Sequence, residues 1–582
     1  MKKSKKLIFH IALIIFITSL VYINSFKNEF VFDDHLHILE NTQIRYKENI
    51  PNFFKQPFMD LYRPLRSIHY MIIYSISKEN PIGYHLNSLL LHSLISILIY
   101  LITKSITKKI NISLITSLIF AVHPIHTGRV TNITASFDML GILFMLVSLY
   151  LYIISKQYSK NKKMVIYFAS ICTAILALLS SEEAIILPLI IILYELCFNN
   201  YNKNKIRDII KIILPFAIID ILYIILRFFI LDIGARSSEY IGGNLYITAL
   251  TMSKVIIKYI TLLISPLNLT LYHNITIATS ILNLKVILSI AVMATLIIIA
   301  IKSYKHTKKS TKQISGVSEI QRISKHNKII TFIIAWFFIT LIPFSNILPL
   351  RVIMAERYLY LPSFAFCLLI GILINQIYNL KQIKISKLMA IILTIILIAS
   401  FSIVTIKRNS DWKDDMTLWK KTVETSPSSS EAHDNLGFSY ERAGDIDKAI
   451  NEFKKSVELN PSNYKAYTNL GTSYAQKENL ELATVYLEKA IEIENTYYKA
   501  HNYLGLVYAK QGRFNESIVS FKNAIKLNPN FDEAYYNLGI IYEYTEQYSL
   551  AKEEFKKAYA LNPKDSMYMR KLDLIEYWKW QN

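Results

Sequence analysis

Cysteine is scarce in this chain. The three cysteines, Cys172, Cys197 and Cys367, all lie inside apolar runs of the 582-residue sequence. Thiols in such surroundings usually act as small hydrophobic side chains, and these spacings can build neither a disulfide framework nor a zinc site. The sequence therefore excludes a disulfide-rich secreted domain and a zinc-binding module.

Charged residues are also sparse. Asp, Glu, Lys and Arg make up 19% of the chain and hydrophobic residues 52%, and the mean hydropathy is +0.30. An ordinary soluble multidomain protein is less apolar and more charged than this. The composition therefore predicts a membrane protein with at least two structural units.

Acidic residues are rare in the first 410 positions. This part holds 17 acidic and 43 basic residues, whereas residues 411–582 hold 26 acidic and 22 basic residues. The basic residues gather in short loops between apolar runs, as the positive-inside rule requires of membrane proteins. The formal net charge of +22 therefore does not indicate nucleic-acid binding.

Apolar runs suitable for membrane-spanning helices predict an all-α bundle of membrane helices. Most of them reach the ~17 to 25 residues that cross a hydrocarbon core. They lie at 7–23, 84–103, 110–122, 139–155, 164–181, 184–199, 208–231, 247–266, 280–302, 329–347, 359–378 and 386–406.

The run at 247–266 is expected not to cross the membrane. Lys254 and Lys258 share one helical face and Pro266 breaks the far end, which is typical of an interfacial or re-entrant helix. About eleven crossings then place the basic loops inside and the C-terminal tail outside. The first run can be a signal peptide, but no small residues for cleavage follow it, so we expect an uncleaved anchor with the N-terminus inside.

The tail is an array of internal repeats. The segments AHDNLGFSY, AYTNLGTSY, AHNYLGLVY and AYYNLGIIY begin 34 residues apart, at Ala432, Ala466, Ala500 and Ala534. This period and pattern are similar to tetratricopeptide repeats, helix pairs that bury their apolar faces by stacking into a solenoid. The final segment, KLDLIEYWKWQN, is expected to be a closing helix.

Under this topology, polar residues in apolar surroundings gather on the outer side. The first outer loop, residues 24–83, is rich in proline and aromatic residues, so we expect it to pack as short helices. Such convergence is what an active site at the membrane surface requires, although loops contain polar residues in any case. The polar segments are DDHLH at 33–37, YRPLRSIHY at 62–70, HPIHTGRVTNITASFD at 123–138, SEE at 181–183 and LPLRVIMAERYLYLPS at 348–363.

Asp33 and Asp34 are the candidate catalytic residues. A carboxylate beside a bilayer costs free energy unless it is solvated or paired, so one that is neither usually has a function. As a general base it can accept the proton of a hydroxyl that attacks a sugar carbon, and inverting transfer needs one base and a stabilised leaving group. The alternative is that either aspartate caps the segment HLHILEN. The cations available to a lipid-phosphate leaving group are Arg63, Arg66, Arg129, Arg351, Arg357, Lys254 and Lys258.

Six blocks and the repeats together resemble the transmembrane and tetratricopeptide repeat-containing O-mannosyltransferases, and among them we expect a prokaryotic relative. The blocks are FVFDDHLHILEN, YRPLRSIHY, YHLNSLLLH, HPIHTGRVTNITASFDML, LLSSEEAIILPLIIILYE and AERYLYLPS. The resemblance implies a GT-C type membrane glycosyltransferase. Such an enzyme takes a sugar from a polyprenyl-phosphate carrier on the outer or luminal face and places it on a protein hydroxyl.

The resemblance also implies roles for particular residues. Asp33 and Asp34 correspond to the catalytic acidic pair of the family. Ser181 stands where the family usually has a lysine before Glu182, so a cation expected at this point is absent. The residues that the resemblance brings to the same cavity are Glu356, Arg357, Tyr358, His123 and His126.

Several polar groups have a structural interpretation beside the functional one. His123, which precedes Pro124, can simply end a helix. Asp220 and Arg227 lie two turns apart on one face of an apolar run and are expected to pair within the bundle. His126, Asp138 and Glu182 can approach one another, but we expect no metal site, and the need for a divalent cation stays open. His69, His85 and His92 are expected to be hydrogen-bonded structural residues.

The repeats offer a second kind of site. Asn435, Asn469 and Asn537 recur at one repeat position, where their amides can bind an extended peptide or satisfy neighbouring helix ends. If they bind peptide, the array raises the effective concentration of an acceptor protein beside the membrane site.

The sequence thus predicts a membrane glycosyltransferase-like domain over residues 1–410, a connector over 411–430 and a solenoid over 431–582. The expected partners are a polyprenyl-phosphate-linked sugar, an acceptor protein and membrane lipid, with no nucleic acid. The expected location is a bacterial cytoplasmic membrane, with the repeats outside. The alternative from another class is a membrane-anchored scaffold that has lost its chemistry. A transporter is disfavoured, because the sequence contains no inverted repeat of broken helices.

Overall fold

The structure, a computed structural model, describes residues 2–59, 61–199, 205–234, 239–313, 318–350, 352–380 and 384–581. Within these ranges the chain is helical and contains no β-strand. The chain divides into two compact units, residues 1–418 and 419–582. This division falls inside the predicted connector, and the predicted all-α architecture is confirmed.

The first unit is built on apolar helices that correspond one by one to the predicted apolar runs. Among the described residues, nine helices are long and apolar enough to cross a membrane, and a tenth span results if a pair bent by 50°, Ile110–Val122 and Pro124–Val130, counts as one. The apolar helices are Lys2–Tyr22, Pro81–Thr107, Ile110–Val122, Met139–Ser155, Lys160–Ser180, Leu187–Phe198, Lys205–Ile225, Leu245–Ile264, Leu284–Gln313, Ser318–Leu341, Ser363–Tyr378 and Ser386–Asn409.

The segment predicted to be re-entrant differs from its prediction in one respect. It forms an unbroken helix, Leu245–Ile264, which is long and apolar enough to cross a membrane and ends shortly before Pro266. Leu, Ile and Val dominate the rest of the run, so the two lysines do not interrupt the helix. The crossing count of eleven and the side on which the tail lies remain predictions.

Residues 24–83, the predicted first outer loop and here called the first outer segment, pack as short helices, as their aromatic and proline content predicts. The helices of this segment are Ile23–Lys27, His35–Leu39, Thr42–Arg45, Lys47–Asn49, Ile50–Lys55 and Pro64–Ser77. Phe30, Ile38 and Tyr70 from this segment share a buried cluster with Ile133 and Phe137 of the bundle. The cluster fixes the segment that carries Asp33 and Asp34 against the turn that precedes the helix Met139–Ser155.

The second unit consists of paired helices with the predicted 34-residue step. A Cβ added to Gly437 would lie 2.6 Å from the ring of Phe453, and Gly505 faces Phe521 in the same way. The glycine therefore lets the two helices of a pair approach closely, which explains why it recurs. The helices are Ser430–Arg442, Ile446–Leu459, Tyr464–Gln476, Leu480–Ile493, Tyr498–Lys510, Phe514–Leu527, Asp532–Tyr544, Tyr548–Leu561 and Ser566–Gln581.

Candidate active site

Asp34 anchors the first outer segment to the bundle. Its side chain is fully buried, and one carboxylate oxygen accepts hydrogen bonds from the backbone N–H and the hydroxyl of Thr134, at 2.8 and 2.5 Å. The other oxygen accepts from the backbone N–H of Val31 at 3.1 Å. Burial raises the pKa of Asp34 to about 6, although these hydrogen bonds lower it. The helix-cap alternative is wrong for Asp34, because it makes no side-chain cap to the turn His35–Leu39.

Asp33 lies near cations but forms no ion pair with any of the described ones. Its half-buried carboxylate makes no hydrogen bond or ion pair with any residue that the structure describes. Burial raises the pKa of Asp33, and the positive charges of Arg357 and Arg66 lower it in part. The Asp33 carboxylate therefore has unengaged oxygens among the described residues, whereas the oxygens of Asp34 accept three hydrogen bonds.

The position of Asp33 is fixed through its neighbours. One Asp415 oxygen accepts a hydrogen bond from the backbone N–H of Phe32 at 2.8 Å, and the other lies 2.7 Å from Nε2 of His35. Phe32 has a φ of 53°, a left-handed conformation that costs a residue other than glycine about 1–3 kcal/mol. The hydrogen bonds to Asp415 and Asp34 therefore hold the backbone on both sides of Asp33 in a conformation that it would not adopt alone.

A network of ion pairs joins three distant segments next to Asp33. Arg63 holds Glu182 through two parallel hydrogen bonds, 2.6 Å from Nε and 2.8 Å from Nη2, and also contacts Asp138. Arg129 donates to Glu183 at 2.5 Å and to Asp138 at 3.2 Å. Two-point pairing fixes the guanidinium plane, so the network fixes the direction in which these cations face.

The network forms one wall of a cavity of about 180 Å³. Arg63, Arg129, Arg227 and Arg357 line this wall together with Asp138, Glu182, Glu183, Tyr223 and Tyr358. The rest of the described lining is apolar: Ile185, Ile224, Phe228, Pro343, Phe344, Leu348, Pro349 and Leu350. The cavity thus suits a ligand that carries both an anionic group and a hydrocarbon chain.

Several cations on the charged wall keep unused donors. Arg357 makes no hydrogen bond or ion pair with any described residue, and its guanidinium lies 5.4 Å from the Tyr358 ring centroid. Nε of Arg129 and Nε of Arg227 are buried, and neither has a hydrogen-bond partner in the described part of the chain. Buried donors are rarely left unpaired, so Arg129 and Arg227, together with Arg357, form a site that suits an anion.

The cations at and beside the cavity are mostly buried and have carboxylates near them. Four guanidinium groups are less than 10% exposed, at 7% for Arg63, 6% for Arg66, 2% for Arg129 and 9% for Arg227. An uncompensated charge is costly in such surroundings. The described carboxylates that lie near them are those of Asp33, Asp34, Asp138, Glu182 and Glu183.

Glu356 does not line the cavity. It is buried, accepts a hydrogen bond from the backbone N–H of Thr270, and lies 3.3 Å from His273 and 3.7 Å from Arg408. The predicted contact of Glu356 with the donor phosphate is therefore not favoured, because Glu356 is buried away from the cavity and bonded to Thr270. Its neighbour Arg357 does line the cavity.

Lys254, Lys258 and His126 also lie outside the cavity lining. Lys254 donates to the backbone carbonyl and the hydroxyl of Thr276, at 2.5 and 2.8 Å, and Lys258 is exposed. His126 is fully buried, with Nε2 2.8 Å from the hydroxyl of Ser363. Their predicted role in donor binding is thus not supported by their positions, and Arg351 lies outside the described residues.

The neighbouring histidine is structural. His123 accepts a hydrogen bond from the backbone N–H of Ile125 at 3.2 Å, and its Nε2 lies 3.0 Å from the carbonyl oxygen of Leu263. The helix that precedes it, Ile110–Val122, ends at this point. The interpretation of His123 as a helix terminator is therefore the correct one. Asp138 and Glu182 are bridged by Arg63 rather than joined with His126.

Ser181 does not leave an empty cation site in the cavity wall. It is fully buried and packs against Gly141, where an added Cβ would lie 2.5 Å from the Ser181 Cβ. Glu182 has cationic neighbours nevertheless, since Arg63 pairs with it and Arg227 lies 4.0 Å away. Other side chains thus supply the positive charge that the missing lysine would bring.

Arg227 and Glu183 are site residues that sequence reasoning missed. Arg227 was assigned to pairing within the bundle because of its spacing from Asp220, yet it lines the cavity. Glu183 was recognised as an outer residue without a role, yet it holds Arg129. Both could have been found from the sequence, because Arg227 and Glu183 are ionisable residues in or next to apolar runs. Ionisable residues in such positions usually have a function.

In the repeat unit, two of the three predicted asparagines link successive repeats. Asn469 donates to Asp434 at 3.0 Å and Asn537 donates to Asn502 at 3.1 Å, each across 35 residues. Asn435 donates to the carbonyl oxygen of Glu431 within its own helix. These contacts support the structural interpretation, and each amide keeps a second N–H.

Comparisons with known proteins identify both units. Residues 64–228 match the family described as dolichyl-phosphate-mannose-protein mannosyltransferase, a range that contains Arg129, Asp138, Glu182, Glu183 and Arg227. Residues 430–463, 464–497 and 532–565 match tetratricopeptide repeats, and residues 507–545 match a further repeat of this type. The crystal structure of MamA is 30% identical, with a TM-score of 0.24, and covers 26% of this chain and 90% of that chain.

Curated relatives combine the same parts. Protein O-mannosyl-transferase F38B6.6 of Caenorhabditis elegans is 24% identical over 445 residues, which cover 74% of this chain and 59% of the relative. Protein O-mannosyl-transferase TMTC3 of Mus musculus is 23% identical over 76% of this chain and 50% of its own length. Protein O-mannosyl-transferase tmtc2 of Xenopus laevis is 24% identical over 75% of this chain and 60% of its own length.

The chain spans between half and three fifths of the length of these relatives. Its apolar helices and the matched family make it a multi-pass membrane protein. With both units matched in the order that the six blocks and the repeats predict, the chain is a relative of the transmembrane and tetratricopeptide repeat-containing protein O-mannosyl-transferases.

Proposed function

We propose that the chain is a GT-C type membrane glycosyltransferase, which moves a sugar, mannose by its relatives' names, from a polyprenyl-phosphate carrier to protein hydroxyl groups. The observation that carries the proposal is the cavity with a cationic wall, an apolar wall and Asp33 beside it. A phosphate group fits the cationic wall, and the polyprenyl chain fits the apolar wall. The non-catalytic scaffold explains neither the unused donors of Arg357, Arg129 and Arg227 nor the unpaired Asp33.

In the proposed reaction, Asp33 is the general base and inversion occurs at the sugar carbon. The acceptor hydroxyl gives its proton to Asp33 while its oxygen forms a bond to the anomeric carbon. The bond between that carbon and the phosphate oxygen breaks, and polyprenyl phosphate leaves with the bonding electron pair. Arg357, Arg129 and Arg227 are placed to stabilise the charge that develops on the phosphate.

Asp34 has a positioning role in this proposal. Its carboxylate accepts hydrogen bonds from the backbone N–H groups of Val31 and Thr134, and these bonds hold the backbone next to Asp33. The acidic pair expected from the family thus divides into one base and one anchor.

We further propose that the repeats engage the acceptor or a partner protein, through the second N–H of Asn435, Asn469 and Asn537. The proposed location is a bacterial cytoplasmic membrane, with the N-terminus inside and both the cavity and the repeats on the extracytoplasmic side. The proposed chemistry uses no metal, because the guanidinium groups supply the positive charge at the phosphate.

The test is a transfer assay with the full chain in lipid nanodiscs. Radiolabelled polyprenyl-phosphate mannose is offered with a mixture of serine- and threonine-containing peptides, and label on peptide is counted. We expect transfer from this donor and none from GDP-mannose, which lacks the hydrocarbon chain. Transfer from GDP-mannose alone, or from neither donor, would contradict the proposal and favour a scaffold.

A pair of cation variants tests the phosphate site in the same assay. Arg357→Gln removes a cation from the cavity wall, so we expect donor binding to weaken at least tenfold, since a hydrogen bond to a charged group contributes about 1.5–3 kcal/mol. Lys258→Gln is the matched control, because Lys258 is exposed and lies outside the cavity lining. Equal donor affinity in both variants would exclude Arg357 from phosphate binding.

A further inference from the structure

A second charged pocket lies at the opposite end of the membrane unit. The candidate active site involves Asp138, at the start of the helix Met139–Ser155, whereas this pocket involves Tyr150, Ile154 and Gln157 at the other end. The rise of an α-helix separates the two ends by about 25–30 Å. The pocket is therefore distinct from the cavity described above.

Three lysines from two separate helices converge on this pocket. Lys6 comes from the first apolar helix, and Lys104 and Lys108 come from the end of the helix Pro81–Thr107 and the residue that follows it. Its lining contains no acidic residue among the described positions. None of the three lysines forms an ion pair with a described residue. Three positive charges thus meet without a negative counterpart.

The rest of the lining fits a lipid rather than a small soluble anion. Leu7, Leu101, Ile110 and Ile154 give the pocket apolar walls, and its volume is about 620 Å³. Tyr100 also lines the pocket, with its hydroxyl 3.0 Å from Nδ1 of His10 and its ring centroid 5.9 Å from the Lys104 amine. A cationic rim above apolar walls, between membrane helices, is how proteins hold the headgroup of an anionic lipid.

Simple clustering of lysines does not explain the pocket. Lys160, Lys162 and Lys163 form a denser cluster in the sequence, and they are exposed at the start of one helix outside the pocket lining. Basic residues that serve only the positive-inside rule need no enclosed site. The convergence of Lys6, Lys104 and Lys108 therefore indicates a ligand.

We propose that this pocket binds an anionic phospholipid, with the phosphate between Lys6, Lys104 and Lys108 and an acyl chain along Leu7, Leu101 and Ile154. The lipid would join the first apolar helix to the helices Pro81–Thr107 and Met139–Ser155. The proposal does not depend on the proposed glycosyl transfer, because no residue of the candidate active site takes part.

The test is native mass spectrometry of the full chain in detergent, titrated with phosphatidylglycerol or phosphatidylcholine. We expect wild-type protein to retain phosphatidylglycerol in preference. A lysine near a membrane surface contributes about fivefold in affinity for anionic lipid, so the triple variant K6Q/K104Q/K108Q should lose roughly a hundredfold. The variant K160Q/K162Q/K163Q has the same net charge and should bind as wild type does.

Two further arms separate the remaining explanations. K6R/K104R/K108R keeps the charge and should keep the lipid, and a loss equal to that of the glutamine variant would overturn the proposal. Millimolar inorganic phosphate should not displace the lipid, whereas complete displacement would assign the pocket to free phosphate instead. Equal loss of lipid in both glutamine variants would also overturn the proposal.

Discussion

At the residue scale, the adjacent aspartates Asp33 and Asp34 have different surroundings. Asp34 is buried and accepts three hydrogen bonds, whereas Asp33 has no hydrogen-bond partner among the described residues and lies near Arg357 and Arg66. The sequence predicted both as catalytic candidates, because two identical side chains in a row cannot be distinguished without their surroundings. The distinction depends on which of them accepts hydrogen bonds from Thr134, which lies 100 residues further along the chain.

The pH dependence of transfer follows from the environment of Asp33. A general base acts only when it is deprotonated, and burial raises the pKa of this carboxyl. We expect kcat/KM to fall as the pH is lowered, and the fall to begin above the pH range in which an exposed aspartate titrates. A rate that stays constant down to the ordinary carboxylate range would contradict this assignment.

The role of Asp34 predicts a pH-dependent stability effect. Thr134→Val removes the hydroxyl donor, so we expect it to destabilise the chain by about 1–3 kcal/mol. The folded-state pKa of Asp34 is raised to about 6, so its contribution to the stability of the chain is lost as the pH rises from the ordinary aspartate pKa through 6. The Thr134 hydroxyl favours the ionised carboxylate, which is present at pH 7.5 but largely protonated at pH 5. The variant should therefore lower the melting temperature more at pH 7.5 than at pH 5.

The matched control for that variant is Thr127→Val. The Thr127 hydroxyl is also buried but donates to the carbonyl oxygen of Pro124, which does not titrate. Its effect on the melting temperature should be the same at both pH values. A pH-independent loss in Thr134→Val would mean that Asp34 is not the group involved.

At the element scale, the segment after the last apolar helix holds the first outer segment. Asp415 binds Phe32 and His35 on either side of the Asp33–Asp34 pair, and Glu29 donates its backbone N–H to Lys413 at 2.8 Å. Asp33, the proposed base, is thus positioned by residues almost 400 positions away. This explains why the sequence predicted the aspartates but not what orients them.

Loss of this contact should affect turnover more than donor binding. Asp415→Ala releases the backbone at Phe32, and a displacement of about 1 Å can reduce a rate about a hundredfold. We expect kcat to fall by about ten- to a hundredfold in the transfer assay with donor affinity unchanged. Asp414→Ala is the control, because Asp414 bonds to Thr417 of its own segment. Equal turnover in the two variants would exclude the positioning role.

At the scale of the whole molecule, the sequence was most informative where contacts are local. The 34-residue step fixed the repeats and their glycine–aromatic pairs, and each apolar run became a helix. The ion pairs were not predictable, since Arg63, Asp138 and Glu182 are brought together from three segments by tertiary packing. Lys254 and Lys258 were predicted to bind the donor on the basis of charge alone, and the structure places them outside the cavity.

The predicted topology concerns the whole chain. With eleven crossings, a reporter fused after Asn582 should lie on the extracytoplasmic side, as judged by an alkaline phosphatase fusion. A green fluorescent protein fusion at the same position should not fluoresce in a bacterial host that exports the reporter unfolded. An active cytoplasmic reporter would mean that the helix Leu245–Ile264 changes the parity, and would place the repeats inside.

The central claim is that Asp33 accepts the proton while the arginine wall holds the phosphate. The most direct measurement is the single-turnover transfer rate from bound polyprenyl-phosphate mannose in wild type and Asp33→Asn, with Glu40→Gln, an exposed carboxylate of the same segment, as control. We expect a loss of about 10²–10⁴ in rate for Asp33→Asn, with donor affinity within about twofold of wild type because the phosphate contacts remain. An Asp33→Asn rate equal to that of wild type would contradict the account.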